Sequence, residues 1–171
     1  VSGGTLLLGS ASTQSGGIDV STGATLQYAG GGTHMVNAGS SFTGTGTVGI
    51  SGGTVNMTAA TTLGAGINQT GGTLTGVGDV TVNGPFSWTG GTVSGTGALT
   101  VNGVLTMPSF GARTLDGRTL THTNASGAST ILGTSGGEIN LDNGAVLRNA
   151  PGAVLNVNIA SGTSLIDNDN G

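Results

Sequence analysis

Residues 71–108 contain one pattern written twice, GGTLTGVGDVTVNGPFSWT (71–89) followed by GGTVSGTGALTVNGVLTMP (90–108). When the second copy is laid over the first, the two are identical at nine of nineteen positions. Large apolar residues are replaced by other apolar residues: Leu74 by Val93, Val80 by Leu99, Phe86 by Leu105 and Trp88 by Met107. The sizes of these side chains change, but their apolar character does not.

Within each copy the apolar residues lie two apart, as in Val80-Thr81-Val82 and Phe86-Ser87-Trp88. This is the period of a β-strand, in which alternate side chains face opposite sides. Glycines separate the apolar runs, so each unit reads as about three short strands joined by tight turns. A period near 20 with several strands per unit is typical of a solenoid with stacked coils. The predicted stacks place Val80 on Leu99, Val82 on Val101, Phe86 on Leu105 and Trp88 on Met107.

The same organisation extends over the whole chain. Glycine pairs recur at Gly31, Gly52, Gly71 and Gly90, so that successive pairs are twenty-one, nineteen and nineteen positions apart. The sequence therefore predicts an all-β fold, a single β-solenoid domain over 1–171 with about 19–21 residues per coil and roughly seven or eight coils. The predicted inward residues before the repeated pair are Leu6, Leu8, Ile18, Val20, Leu26, Tyr28, Phe42, Val48, Ile50, Val55, Met57, Leu63 and Ile67.

The pattern is looser between residues 108 and 124, where we expect an irregular coil or a bulge. Pro108 cannot donate a hydrogen bond to a strand ladder and fits a turn. Two of the three arginines, Arg113 and Arg118, lie here on either side of Asp116. Their charges favour a local departure from the regular coil.

Composition limits the classes of function. Glycine accounts for 37 of 171 residues, which alone would suggest low complexity, but the chain is 35% hydrophobic and its apolar residues are periodic. Three arginines, no lysine and a net charge of −4 provide no cationic surface for a nucleic acid. No apolar run reaches the ~18–20 residues that would cross a bilayer, so membrane insertion is not predicted. The absence of cysteine excludes disulfides and thiolate metal sites.

The titratable residues do not predict a catalytic or metal site. Glu138 and Asp142 are four apart, which places them on one face of a strand, but such a pair is usually a solvated face. His34 and His122 are too far apart in the sequence for a metal-ligand spacing and are expected to be hydrogen-bonded surface or turn residues. We therefore assign no catalytic, cofactor-binding or metal-binding residue.

Two segments resemble calcium-binding sequences in part. GVGDV (76–80) has its aspartate one place early for a calcium-binding repeat, and the second copy has none. DNDNG (167–171) resembles the opening of a calcium loop, but the sequence ends before the glutamate that such a loop requires.

Three surface features leave alternatives open. Threonine runs at 43–47 and 119–123 suggest an ice-binding face, although only Thr81 and Thr100 stack clearly in the sequence. Trp88 and Tyr28 could stack on sugars, but their alternation with apolar neighbours favours the core. N-glycosylation motifs occur at Asn56, Asn68 and Asn124.

The repeated pair, with RTLDGRTLTHTN (113–124) and NGAVLRNAPGAVLNV (143–157), resembles the β-strand repeats of large secreted bacterial surface proteins. These are the β-helical stalks of autotransporter-type and filamentous-haemagglutinin-like adhesins. The resemblance is strongest over 71–165 and implies a right-handed parallel β-helix outside the cell, at the cell surface. It concerns architecture, and it carries no catalytic residues.

The expected function is that of a structural or adhesive segment without enzymatic activity. The chain would act as a rigid stalk or as a subunit of a fibre that stacks head to tail. Its expected partners are other copies or further coils of a longer chain, together with surface glycans. The first residues, VSGG (1–4), start in mid-pattern, so a processed product or a piece of a longer protein is expected. A polysaccharide-active β-helix enzyme is the alternative, and an ice- or carbohydrate-binding module is a third class.

Overall fold

The computed structural model describes residues 1–108, 111–133, 138–159 and 166–167. Within these ranges all regular secondary structure is β-strand. The strands form three sheets in which neighbouring strands are parallel. Each coil adds one strand to sheet A, one to sheet B and one to sheet C in that order. The predicted β-solenoid is confirmed.

The strands take their labels in chain order. Sheet A contains β1 (Thr5–Leu8), β4 (Thr25–Tyr28), β7 (Thr47–Ile50), β10 (Gly66–Gln69), β13 (Phe86–Trp88), β16 (Leu105–Met107), β19 (Ser129–Gly133) and β22 (Leu155–Ile159). Sheet B contains β2 (Ser12–Gln14), β5 (Thr33–Val36), β8 (Thr54–Met57), β11 (Thr73–Thr75), β14 (Gly91–Ser94), β17 (Arg113–Asp116), β20 (Ile139–Asp142) and β23 (Ile166–Asp167). Sheet C contains β3 (Gly17–Asp19), β6 (Ser41–Thr43), β9 (Thr61–Leu63), β12 (Val80–Val82), β15 (Leu99–Val101), β18 (Thr119–His122) and β21 (Val146–Asn149).

The register of the repeated pair is the one that the sequence predicts. Val80 pairs with Leu99 and Val82 with Val101 across β12 and β15. Phe86 pairs with Leu105 across β13 and β16. These side chains are buried, because the alternation of each strand points them into the space that the three sheets enclose.

The length of a coil varies more than predicted. Nineteen positions separate Ile67 from its partner Phe86, whereas twenty-six separate Ser129 from its partner Leu155. Longer coils still keep their strands paired in parallel, since extra residues at a turn need not shift the strands that flank it. The predicted range of coil lengths is therefore too narrow.

The apolar core extends from Val20 to Ile139, over about six turns. This is slightly fewer than the seven or eight coils predicted, because the outermost strands pair through their backbones while many of their side chains stay exposed. Leu6 pairs with the buried Leu26, yet it is 45% exposed because β1 is the edge strand of sheet A. Of the other predicted inward residues, Leu8 and Ile18 are partly buried and the rest are buried.

Strands β17 and β18 keep the pairing of the regular coils, while five residues separate β16 from β17, against two between β13 and β14. β17 pairs with both β14 and β20, and β18 pairs with both β15 and β21. Arg113 and Arg118 are buried rather than directed outward. Residues 109–110 of this segment lie outside the described residues. The irregular coil or bulge near 108–124 stays a prediction.

Candidate functional site

Three polar side chains meet near the C-terminal end of the solenoid. His122 ends β18, Ser129 begins β19 and Asn149 ends β21. His122 and Ser129 are buried, whereas Asn149 is exposed on the edge strand of sheet C. His122 follows Val101 in its ladder, so a polar residue occupies a position that is apolar in the preceding coil. We call these three residues the polar relay.

The hydrogen bonds of the polar relay have a defined direction. Asn149 Oδ1 lies 2.7 Å from His122 Nδ1, and because this oxygen can only accept, the ring donates from Nδ1. His122 Nε2 is then the acceptor for the Ser129 hydroxyl, at 2.8 Å. Ser129 Oγ also accepts the backbone N–H of Leu105 at 3.0 Å. Asn149 in turn donates to the Ala153 carbonyl oxygen at 2.9 Å.

This order resembles the Ser–His–acid arrangement of hydrolases, with an amide in place of the acid. A serine nucleophile must, however, reach the carbonyl carbon of a substrate. Ser129 and His122 are fully buried, and the serine oxygen is already bonded to the backbone of the preceding coil. The geometry therefore favours a structural role for the relay.

A second polar group lies in the first coils. His34 is buried, its Nδ1 lies 2.9 Å from Ser12 Oγ, and its ring centroid lies 4.9 Å from that of Tyr28. Tyr28 is buried as predicted and donates to Gln14 Oε1 at 3.1 Å. The prediction that both histidines are surface or turn residues is wrong. In THMV (33–36), His34 and Val36 point to the same side of the strand, and Thr33 points to the other. This alternation could have placed His34 in the core.

We expect the burial of Tyr28 to make stability depend on alkaline pH. Loss of solvation raises the pKa of its phenol to about 12, from 10.0. The raised pKa means that stability is unchanged below about pH 10 and falls between about pH 10 and 12, where only the unfolded chain ionises. Urea unfolding across this interval measures the fall. Tyr28→Phe should remove the part of the fall in stability that Tyr28 causes. An identical fall in the variant would contradict the assignment of this effect to Tyr28.

The two buried arginines bond to backbone carbonyls. Arg118 donates from one terminal nitrogen to the carbonyl oxygens of Gly76 and Gly78, both at 3.1 Å. Arg113 donates to the Pro108 carbonyl oxygen at 2.7 Å. Burial lowers the pKa of both guanidinium groups, and the charge of Asp79 opposes this effect at Arg118. Sequence reasoning missed both contacts. The partners of Arg118 lie in a distant coil and leave no trace in the local pattern, whereas Pro108 precedes Arg113 by five residues in the longer turn before β17.

The carboxylate pair and Arg148 lie at strands of two different sheets. Glu138 is exposed just before β20, Asp142 ends β20 in sheet B, and Arg148 is exposed on β21 in sheet C. No ion pair joins these three residues within the described ranges. Trp88, the other candidate for a ligand contact, is buried as predicted and stacks on Phe86 with ring centroids 6.2 Å apart.

Threonines stack more extensively than the sequence suggests. Five successive strands of sheet B carry threonine at one outward position, namely Thr33, Thr54, Thr73, Thr92 and Thr114. Four do so in sheet C, namely Thr62, Thr81, Thr100 and Thr121. The position beside the first ladder is mixed, however, with Met35 opposite Asn56 and Asp116 opposite Asp142. A two-dimensional threonine lattice, which an ice-binding face needs, is therefore absent from the described part of sheet B.

The fold adds little support for a metal site or for N-glycosylation. No group of three His, Cys, Asp or Glu side chains that could hold a metal occurs among the described residues. Asp79 instead accepts the N–H of Ala98 at 2.8 Å, and residues 168–171 of the DNDNG segment lie outside the described ranges. Among the glycosylation motifs, Asn68 is exposed, whereas the amides of Asn56 and Asn124 contact neighbouring coils.

Two of the grooves on the outer surface are shallow and are lined by described residues. One, of about 340 Å³, is lined by Asn56, Thr58, Thr75, Gly76, Val77, Gly95 and Thr96. The other, of about 310 Å³, lies on sheet A beside Asn68. Neither contains a titratable side chain among its lining residues. The described ranges contain no helix that is long and apolar enough to span a membrane. No protein-family model matches the chain, and no curated protein or solved structure shows significant similarity to it.

Proposed function

We propose that the chain is a structural segment of an extracellular surface protein, a rigid β-solenoid whose ends pair with further coils. Those coils belong to the same polypeptide in a stalk, or to another copy in a fibre. The observation that carries the proposal is that, among the described residues, the edge strands at both ends of the sheets have a parallel neighbour on one side and expose apolar side chains.

The exposed apolar residues support this proposal by their position. Six large hydrophobic residues are exposed among those described, and five of them lie in the first or last coils. They are Leu6 and Leu7 on β1, Val146 on β21, and Val154 and Val157 at β22. An edge strand with unpaired backbone groups and exposed apolar side chains is a template for further pairing.

The geometry of the ladders supports rigidity. Every inner strand of the three sheets has a parallel neighbour on both sides. The eight strands of sheet A, at about 4.8 Å per strand, span roughly 34 Å. Each further coil would extend the segment by the same step without changing its width. A stalk or fibre needs this property.

The test is negative-stain electron microscopy of the purified chain over a concentration series, with two variants of one strand. Leu6 faces the interior at the open end of β1, whereas Leu7 faces outward on the same strand. We expect unbranched filaments at high concentration for the unmodified chain and for Leu7→Asp. Leu6→Asp places a charge in the end surface and should shift filament formation to at least tenfold higher protein concentration. Tenfold corresponds to about 1.4 kcal/mol, and burying an unpaired charge costs several kcal/mol.

The outcomes separate the two forms of the proposal. Filaments that persist in Leu6→Asp would contradict pairing through this end. Dispersed particles at every concentration would contradict the fibre form. The stalk form then predicts that two copies joined in phase give one continuous particle of about twice the length, and two separate particles on a linker would overturn it.

The polysaccharide-active enzyme remains the competing class, but no observation favours it. Its candidate carboxylates lie at β20 in sheet B and Arg148 lies in sheet C, and the serine of the polar relay is buried.

A further inference from the structure

We propose that the polar relay is a proton-sensitive clasp that holds the last coils on the solenoid. In this device the neutral imidazole of His122 completes the hydrogen bonds of Ser129 at the start of β19. Protonation of the ring breaks this arrangement and releases β19 from β16.

The junction between β16 and β19 is the place where the clasp acts. These strands pair through two residue pairs, Thr106 with Thr130 and Met107 with Ile131. At the next position the N–H of Leu105 bonds to the side chain of Ser129, at 3.0 Å, instead of to a backbone carbonyl. The Ser129 hydroxyl therefore takes the place of one ladder bond, and its orientation matters for the junction.

The state of His122 determines that orientation. With Nδ1–H directed to Asn149, the ring offers Nε2 as the acceptor of the Ser129 O–H. A proton on Nε2 turns this acceptor into a donor, so the serine oxygen would have to accept two N–H groups. Its own hydrogen would then lack an acceptor in a fully buried site, and such orphaned groups are costly.

The strands that neighbour His122 in sheets A and C carry no carboxylate. The neighbouring strands β15, β16, β19 and β22, and β18 itself, contain no titratable residue apart from His122. β21 contributes Arg148, which is exposed on the outer face and has the wrong sign to stabilise an imidazolium. The charged residue buried on β17, the preceding strand of the same coil, is the cation Arg113. The charged ring would thus be buried without a carboxylate.

Hydrogen exchange followed by mass spectrometry at about pH 7.5 and about pH 5, corrected for intrinsic exchange rates, tests the clasp. We expect exchange in 129–131 to accelerate about tenfold at the lower pH, which corresponds to the loss of one buried hydrogen bond. Exchange in 67–69, within the regular coils, should not change. Equal behaviour of the two segments would overturn the proposal.

Two variants make the test specific. The double variant His122→Val with Ser129→Leu installs apolar residues like Val101 and Leu105 of the preceding coil, and it should lose the acid response. His34→Gln removes the other histidine and should keep it. The opposite result for either variant would contradict the clasp. A readout that needs no variant is the ring tautomer at neutral pH by long-range ¹H–¹⁵N correlation, since hydrogen on Nε2 instead of Nδ1 of His122 would also overturn it.

Discussion

Replacement of Trp88 by alanine is expected to lower the free energy of unfolding by about 3–5 kcal/mol, the usual range for deleting a buried aromatic side chain. Trp88 is fully buried, lies beside Gln69 in its ladder and stacks on Phe86. Strands paired on both sides cannot move inward to fill the space that the indole leaves, so a cavity should remain. Equilibrium unfolding in urea measures the change.

Two variants of the same strand control this experiment. Trp88→Met installs the residue that the second copy of the repeat has at this position, Met107, and should cost less than the alanine variant, about 1–3 kcal/mol, because part of the space stays filled. Ser87→Ala alters the outward neighbour and should change stability by no more than about 0.5 kcal/mol. A loss below about 1 kcal/mol in Trp88→Ala would mean that the coils do not pack as described.

Substitution of Gly76 by alanine is the second large effect that we expect, a loss of about 2–6 kcal/mol. Gly76 has a backbone φ of 127°, which L-residues other than glycine rarely adopt. An added Cβ would lie 2.0 Å from the Met57 carbonyl oxygen of the preceding coil. Strain at the residue and overpacking against the backbone should therefore add. Urea unfolding again measures the loss.

The control lies one residue away. Val77 is 71% exposed at the tip of the same turn, so Val77→Ala should be within about 0.5 kcal/mol of the unmodified chain. If Gly76→Ala were equally mild, the turns of successive coils would have to be farther apart than the structure has them.

The ladders of the repeated pair could be predicted because one local rule governs them. Val80 and Leu99, and Phe86 and Leu105, follow from alternation within a strand and from the offset between copies, and both can be read from the sequence. The same rule fails for the lengths of the coils, since turns accept extra residues without altering the strands.

The polar core residues escape prediction for a different reason. Residue type alone places Arg118 on the surface, where arginine is usually found, and gives His34 and His122 no clear preference for the core. For the histidines, alternation alone indicates the interior. The contacts of Arg118 depend on glycines that are 40 and 42 residues distant, and no periodic rule within one coil reaches that far.

Those contacts of Arg118 also bear on how the chain would unfold. Gly76 and Gly78 lie between β11 and β12, and Arg118 lies between β17 and β18, so the guanidinium passes over the whole intervening turn between β14 and β15. In a solenoid held only by adjacent units, a boundary between ordered and melted coils can stop anywhere along the array at similar cost. Here a boundary at the intervening coil would leave the buried guanidinium of Arg118 without its carbonyl partners. The three coils from β10 to β18 should therefore melt as one block, and unfolding should be more cooperative than the repeats alone suggest.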